Sequence, residues 1–126
     1  MTWKTIRLEL ARTHDFPEGS STRQYLLSLP LNDDDRIDVA AIEADPARAT
    51  ARRIWDGELD RHGYVIRTER GWALSYALGE EDDEPIFHLD THHIRAGEYL
   101  TLTEVDGEPQ PFRIVECEIA QLKGSE

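Results

Sequence analysis

The chain has very little cysteine and no long apolar stretch. Its single cysteine, Cys117, excludes an internal disulfide and suits a reducing compartment. No run of about 18 apolar residues is present, so no membrane-spanning segment is expected. The N-terminal ten residues alternate polar and apolar side chains and do not form the apolar core of a signal peptide. These absences predict a cytoplasmic protein.

Basic residues are also scarce. The chain has 14 Lys and Arg against 26 Asp and Glu, which gives a net charge of −12. Phosphate backbones and anionic membranes repel such a surface. The groups Arg48 with Arg52 and Arg53, and Arg67 with Arg70, are small and flanked by acids. We therefore expect neither nucleic acid nor membrane as a partner, although the segment 94–102, of the form I-x-x-G-E-x-L-x-L, keeps an RNA-reading barrel as a further alternative.

Motifs of the common enzyme classes are missing. There is no phosphate-binding glycine loop and no dinucleotide fingerprint. Ser20 and Ser21 follow Gly19 without the pattern of a nucleophile elbow. Cys117 is predicted on the last strand, on one face with Val115 and Ile119, as a small apolar residue. Whether the chain is an enzyme stays uncertain, and the balance favours a non-catalytic domain.

What the sequence does contain is β-structure. Two β-prone runs between Gly97 and Ile119 flank Asp106-Gly107, a strong signal for a hairpin. Alternation of apolar residues predicts further short strands. These are Thr5–Leu10, Arg23–Leu31, Tyr64–Glu69, Trp72–Leu78 and Ile86–Leu89. Turns are expected at His62-Gly63 and at Arg70-Gly71.

Helical structure is expected only in the middle of the chain. Asp38 is a plausible N-cap for a short helix through Ala44, which Pro46 would stop. The segment 47–55 fits either a second helix or a strand. Seven or eight short strands in 126 residues predict one mainly β domain over 1–126, a small antiparallel barrel or barrel-like sandwich with one or two short helices.

The landmarks of the chain resemble those of a family of small uncharacterised proteobacterial proteins. They are turn and core residues spread over most of the sequence. They comprise the segments FPEGS, Arg53-Ile54-Trp55, Gly71-Trp72, Gly97-Glu98-Tyr99, Asp106-Gly107 and 112–115. The resemblance implies no activity, but it implies that Ala49–Trp55 is a strand, and we adopt that interpretation.

The densest group of metal-ligand side chains is His88, Asp90, His92 and Glu98. If 88–92 were a strand, His88, Asp90 and His92 would project from one face, and three such donors with a fourth can hold a divalent transition metal. The other possibility is a solvated polar loop, in which case no cofactor is expected. The acidic runs 33–35 and 80–84 lack the donor spacing of a calcium loop and are expected to be solvated.

The function predicted from these features is non-catalytic binding of a protein partner or a small ligand. The alternative is a small metal-binding protein or enzyme that uses the His88–Glu98 cluster. An exposed strand edge near Pro30 or near Pro109–Pro111 would be the natural docking place for a partner. The aromatic residues Trp3, Trp55, Trp72 and Tyr99 are expected in the core or, less often, at a pocket or interface.

Overall fold

The computed structural model describes residues 1–13, 16–69, 71–76, 84–86, 89–103 and 108–119, and only the backbone of Asp90. Eight strands account for most of the described residues. They are β1 (Thr2–Leu10), β2 (Ser20–Leu31), β3 (Thr50–Trp55), β4 (Arg61–Thr68), β5 (Gly71–Ser75), β6 (Glu84–Ile86), β7 (Tyr99–Thr103) and β8 (Pro109–Ile119). One α-helix, α1 (Val39–Ala44), and two single 3-10 turns, Pro46–Arg48 and Leu89–Thr91, lie in the connections.

The strands form a closed antiparallel barrel. Each strand pairs with the next in sequence, and β8 pairs with β1 to complete the ring. The predicted mainly β fold is confirmed, and of its two versions the barrel is the correct one. An eight-stranded barrel has an interior just wide enough to be filled with side chains or to hold one small ligand.

Alternate residues of each strand fill this interior. In β1 the inward positions are Ile6, Leu8 and Leu10, while Arg7 and Glu9 lie on the outer face. The same period of two applies to the other strands because successive side chains point to opposite faces. The largest fully buried side chains are Ile6, Leu8, Tyr25, Leu27, Leu29, Leu31, Leu74, Leu89, Ile94, Leu100, Leu102 and Ile114.

One end of the barrel, where β2, β4, β6 and β8 finish, is packed with apolar side chains from its connections. Ile37, Ile42, Leu89 and Ile94 are all buried there and join the core. Helix α1 begins as predicted, because the Asp38 carboxylate accepts a hydrogen bond of 3.1 Å from the Ala41 N–H. We call this the apolar end. Within the described ranges no helix has the length and apolar content needed to cross a bilayer.

Trp3 is an apolar residue on the outer face of β1, where the other side chains, such as Arg7 and Glu9, are polar. It pairs with Pro30 of β2, and both side chains are buried. The guanidinium of Arg48 lies 4.7 Å from the centre of the Trp3 ring. The chain between β2 and β3 therefore covers an apolar patch on the outside of the barrel.

The predicted docking edges are wrong because the barrel is closed. Pro30 does lie near a strand end, since β2 finishes at Leu31 and pairs with β3 only from Arg23 to Leu27. Its carbonyl, however, accepts a hydrogen bond of 2.9 Å from the Asp38 N–H. The segment Pro109–Pro111 is paired along its length with β7.

Two other predicted elements also differ from the structure. Of the strand predicted at Ile86–Leu89, Ile86 is the last residue of β6, residues 87–88 lie outside the described ones, and Leu89 begins a 3-10 turn. The turn predicted at His62-Gly63 is part of β4. Glycine stands there because the backbone of β5 comes close, and a Cβ on Gly63 would lie 2.0 Å from the carbonyl oxygen of Ser75. The strand adopted for 49–55 and the pairing of the closing hairpin are confirmed, while Asp106-Gly107 lies outside the described residues.

A β-bulge interrupts β8 where it pairs with β1. Leu8 is opposite Ile114, but the next residue back, Arg7, is opposite Glu116, so Val115 is the extra residue. After the bulge the outward position is Glu116, whose carboxylate lies 2.6 Å from the Arg7 guanidinium. Cys117 is consequently opposite Ile6 and on the inward side.

The close approach at Gly63 predicts that Gly63→Ala destabilises the barrel by about 1–3 kcal/mol, because a side chain there must push the β5 backbone away. The measurement is urea unfolding followed by tryptophan fluorescence. Thr50→Ala, on an exposed position of the neighbouring β3, should change stability by less than about 0.5 kcal/mol. Equal effects of the two substitutions would show that the contact is not tight.

Candidate functional site

Strand register brings three arginines to the end of the barrel opposite the apolar end. Arg53 of β3 is opposite Tyr25 of β2 on one side and Arg61 of β4 on the other. Arg23 of β2 is opposite Trp55 of β3. Because residues opposite each other in an antiparallel pair share a face, all three arginines start on the inner face. We call this the arginine end.

A buried carboxylate lies across the interior from these arginines. Glu84, the first residue of β6, is opposite Leu74 of β5, and its side chain is only 3% exposed. The Tyr76 hydroxyl donates a hydrogen bond of 2.5 Å to Glu84 Oε1. The Tyr25 hydroxyl lies 3.2 Å from each oxygen of the same carboxylate. Two tyrosines therefore provide hydrogen-bond donors where water would otherwise do so.

Arg53 links this carboxylate to the surface. Its side chain is 7% exposed, and its Nε lies 3.7 Å from Glu84 Oε2. The guanidinium lies over the Trp55 ring at 4.0 Å from the ring centre. Its Nη1 donates a hydrogen bond of 3.2 Å to Glu58 Oε1, and the Glu58 side chain is 48% exposed. One guanidinium thus contacts a buried carboxylate, an aromatic ring and a solvated carboxylate.

Aromatic rings surround the arginines at this end. The Tyr25 ring makes edge contacts with Trp55 at 5.4 Å and with Phe112 at 5.0 Å between ring centres. The Arg23 guanidinium lies 4.6 Å from the Phe16 ring centre and 5.4 Å from that of Trp55. Such cation–π contacts hold a guanidinium in place without neutralising its charge.

The charges inside the barrel stabilise each other because neither can remain there alone. Removing an ion from water costs several kcal/mol, and only close pairing with additional hydrogen bonds offsets that cost. Burial, followed by the charge and the hydrogen bond of Glu84, raises the pKa of Tyr76 above its ordinary value. Tyr76 therefore remains a neutral donor to Glu84 at every physiological pH.

This arrangement is suited to binding and poorly suited to proton transfer. Arginine stays protonated, so Arg53 cannot serve as an acid or a base near neutral pH. The Tyr76 hydroxyl is held protonated, and Glu84 already accepts from two hydroxyls. Nη1 of Arg53, by contrast, donates outward to a carboxylate, that of Glu58, and a guanidinium suits a carboxylate or another planar anion.

The four predicted metal ligands are not brought together in the part of the chain that the structure describes. His88 lies outside the described residues, as does the side chain of Asp90. His92 is half-buried and Glu98 is exposed. Residues 89–91 form a 3-10 turn, so the alternate projection expected of a strand does not hold there. Among the described side chains no group of three or more potential ligands is placed to hold a metal ion, and metal binding stays a prediction.

Cys117 is half-buried rather than exposed, and its thiol lies 3.6 Å from the Ile94 carbonyl oxygen. Burial raises the pKa of the thiol, and the nearby Lys4 ammonium opposes that shift. The sequence could not identify Lys4 as a neighbour because β1 and β8 meet only in the closed barrel. The bulge at Val115 also separates Cys117 from the face on which it was predicted, and Ile119 is largely exposed.

The acidic runs 33–35 and 80–84 differ in how far their described residues are exposed to solvent. Asp33 and Asp34 are exposed in a turn, and the Asp35 carboxylate lies 3.9 Å from Lys4 and 3.5 Å from Arg95. Of the run 80–84 only Glu84 is described, and it is buried, so the prediction of a solvated loop is wrong at that residue.

The basic groups noted in the sequence do not form one patch. Arg52 is on the outer face of β3 with its guanidinium 2.6 Å from Asp60, whereas Arg53 points inward and Arg48 lies on Trp3. Of the four aromatic residues, Trp3, Trp55 and Trp72 are buried and Tyr99 is half exposed.

Sequence reasoning missed Arg53 and Glu84 as members of one site. A signal for Arg53 was present, because Ala51 and Trp55 on the same face of β3 are apolar. Comparison with known proteins adds no guide, since the chain matches no protein-family model, no curated protein and no solved structure. The resemblance to a proteobacterial family therefore stays a prediction.

The hydrogen bond to Glu84 predicts that Tyr76→Phe lowers the free energy of unfolding at pH 7 by about 1.5–3 kcal/mol. Above about pH 10 the unfolded chain loses the Tyr76 proton, while the folded protein retains it. Stability of the wild type should therefore fall as pH rises above 10, by up to about 1.4 kcal/mol per pH unit from this group.

Urea unfolding of both proteins at pH 7, 9 and 11 measures these effects. The loss between pH 9 and pH 11 should be smaller in Tyr76→Phe, which lacks the ionising group. Tyr99→Phe, at a half-exposed position, is the matched control and should follow the wild type. Identical profiles for all three proteins would contradict the role given to Tyr76.

For the metal prediction, the 3-10 turn at 89–91 leads us to expect far less than one transition-metal ion per chain. The measurement is elemental analysis of protein purified without a histidine tag, before and after incubation with zinc. One zinc per chain that is lost in His92→Ala would instead support the His88–Glu98 cluster.

Proposed function

We propose that this protein is a non-catalytic binding domain that takes a small ligand at the arginine end of its barrel. The observation that carries the proposal is the pairing of buried Arg53 with both Glu84 and the solvated Glu58. A buried charge that also reaches the surface is costly to maintain for stability alone, because apolar residues of similar volume often serve as well or better. Polar groups placed in a largely apolar barrel end are typical of ligand sites.

The difference between the two ends supports the same proposal. The apolar end is filled by Ile37, Ile42, Leu89 and Ile94, which leaves no charged group of the described residues buried there. The arginine end has aromatic rings and cationic groups instead. An apolar surface with a few placed polar groups gives a ligand both affinity and orientation.

The described side chains of the arginine end favour binding over catalysis. Arg53 and Tyr76 keep their protons near neutral pH, and the Glu84 carboxylate is held by two hydroxyls. A cytoplasmic location, proposed from the single cysteine, would give the site access to small metabolites. A protein partner remains an outcome that the experiment below can detect.

The test is a thermal-shift screen of the wild type against small acids, bases and neutral aromatic compounds. Ligands should raise the melting temperature of the wild type and not that of Arg53→Met/Glu84→Gln, which removes both buried charges together so that neither is left unpaired. Arg52→Gln, on the outer face of the same strand, should respond as the wild type does.

A screen without any compound that stabilises the wild type would contradict the proposal. Compounds that stabilise the wild type and the double variant equally would place binding elsewhere. Chemical conversion of a bound compound would contradict the non-catalytic part. Capture of one reproducible protein whose binding needs Arg53 would replace the small ligand by a protein partner.

A further inference from the structure

We infer that Glu58 occupies the ligand position of this site, and that the ligand is a small organic carboxylate with a planar aromatic body that replaces the Glu58 carboxylate on Arg53. This inference rests on the proposed function and specifies its ligand. It follows from the unequal environments of the two carboxylates that contact one guanidinium.

Glu84 is the fixed partner of Arg53. Its carboxylate is buried, accepts hydrogen bonds from Tyr25 and Tyr76, and lies on the Nε side of the guanidinium. Removing it would leave Arg53 as a buried charge without its interior anion, which is costly. Glu84 therefore orients the guanidinium so that Nη1 points toward the barrel end.

Glu58 is the exchangeable partner. It contacts Arg53 through Nη1 at 3.2 Å, and about half of its side chain is exposed to water. It lies in the turn between β3 and β4 beside Gly57, whose φ of 81° places the turn in the left-handed region. Because the Glu58 side chain is half exposed, water can solvate its carboxylate after displacement, so an incoming carboxylate loses little by replacing it. The guanidinium retains a carboxylate throughout the exchange.

Charge at the entrance favours an anion. Arg23 and Arg61 share the inner face with Arg53, and within the described ranges neither forms an ion pair with a carboxylate. Their guanidiniums instead lie near the rings of Phe16 and Tyr76, at 4.6 and 5.9 Å. Two cations held by aromatic rings attract an anion to this end of a protein whose net charge is −12.

The aromatic rings argue for a planar body on that anion. The Trp55 ring centre lies 4.0 Å from the Arg53 guanidinium and 5.4 Å from that of Arg23. The Arg23 guanidinium also contacts the Phe16 ring. A planar ring attached to the carboxylate can stack on the half-buried Phe16 ring or on the Arg23 guanidinium, whereas a small inorganic anion gains only the charge contacts. The class expected is therefore an aromatic carboxylate.

The probe is benzoate, titrated into ¹⁵N-labelled protein while the three tryptophan indole N–H signals are followed by NMR. Trp55→Phe assigns the Trp55 signal. We expect a saturable shift of that signal with benzoate, little or none with benzamide, which has the same shape without the charge, and a weaker response to inorganic phosphate. Added salt should lower the benzoate affinity.

Glu58→Gln is the deciding variant. It removes the competing carboxylate and should tighten benzoate binding by about two- to fivefold, the range that an exposed ion pair is worth. Asp56→Asn makes the same charge change in the same turn without touching Arg53 and is the matched control. Its affinity should rise by a clearly smaller factor.

The outcomes separate this inference from the proposed function. Equal affinity gains in Glu58→Gln and Asp56→Asn would show that only net charge matters and would overturn the role of Glu58. Benzamide binding as tightly as benzoate, or phosphate binding more tightly, would overturn the ligand class while the arginine end remained a site. If benzoate fails but the thermal-shift screen finds other ligands that need Arg53, the inference fails alone. If both fail, the proposed function fails as well.

Discussion

The pairing of Arg53 with Glu84 inside the barrel is the interaction on which the arrangement of the other polar groups depends. Two charges of opposite sign come from β3 and β6, which are not neighbours in the ring. Each would be strongly unfavourable alone in that interior. Tyr25 and Tyr76 supply the hydrogen bonds that complete the solvation of the carboxylate.

This requirement also selects among possible registers of the sheet. A shift of one residue in β3 would turn Arg53 outward and bring Arg52 or Ile54 inward, leaving Glu84 without its cation. The apolar residues specify only which faces are buried. The buried pair adds a requirement that β3 place Arg53, and β6 place Glu84, at the same level of the interior. A single buried polar residue fixes the register of coiled coils in the same way.

Much of the fold could be predicted because its signals are local. The alternation of Ile6, Leu8 and Leu10, and the cap of α1 at Asp38, depend on residues close together in the chain. The local signals could not decide between a closed barrel and a barrel-like sandwich, since closure depends on how β1 meets β8 more than 100 residues later. The interpretation of Gly63 as a turn failed for a similar reason, because the close contact with Ser75 is a tertiary one.

The candidate site was less accessible to sequence reasoning than the fold. Arg53 could have been recognised by its phase between Ala51 and Trp55, but only after that segment was known to be a strand. Glu84 ends an acidic run and precedes a proline, so its neighbours suggested a solvated loop. Its burial follows from pairing with Leu74. His88 and His92 were singled out because imidazole binds metals, and the sequence around them did not indicate which face of the chain they occupy.

The extra residue at Val115 reconciles two halves of β8 whose polarity patterns are out of phase. Before it, Phe112 and Ile114 belong to the interior, and an uninterrupted strand would next direct Glu116 and Glu118 inward. The skipped position instead sends Glu116 outward to Arg7 and admits the cysteine to the inner side. The bulge therefore restores the inward phase of apolar residues in β8. The segment before it pairs with Leu8–Leu10 of β1, and the segment after it pairs with Lys4–Arg7.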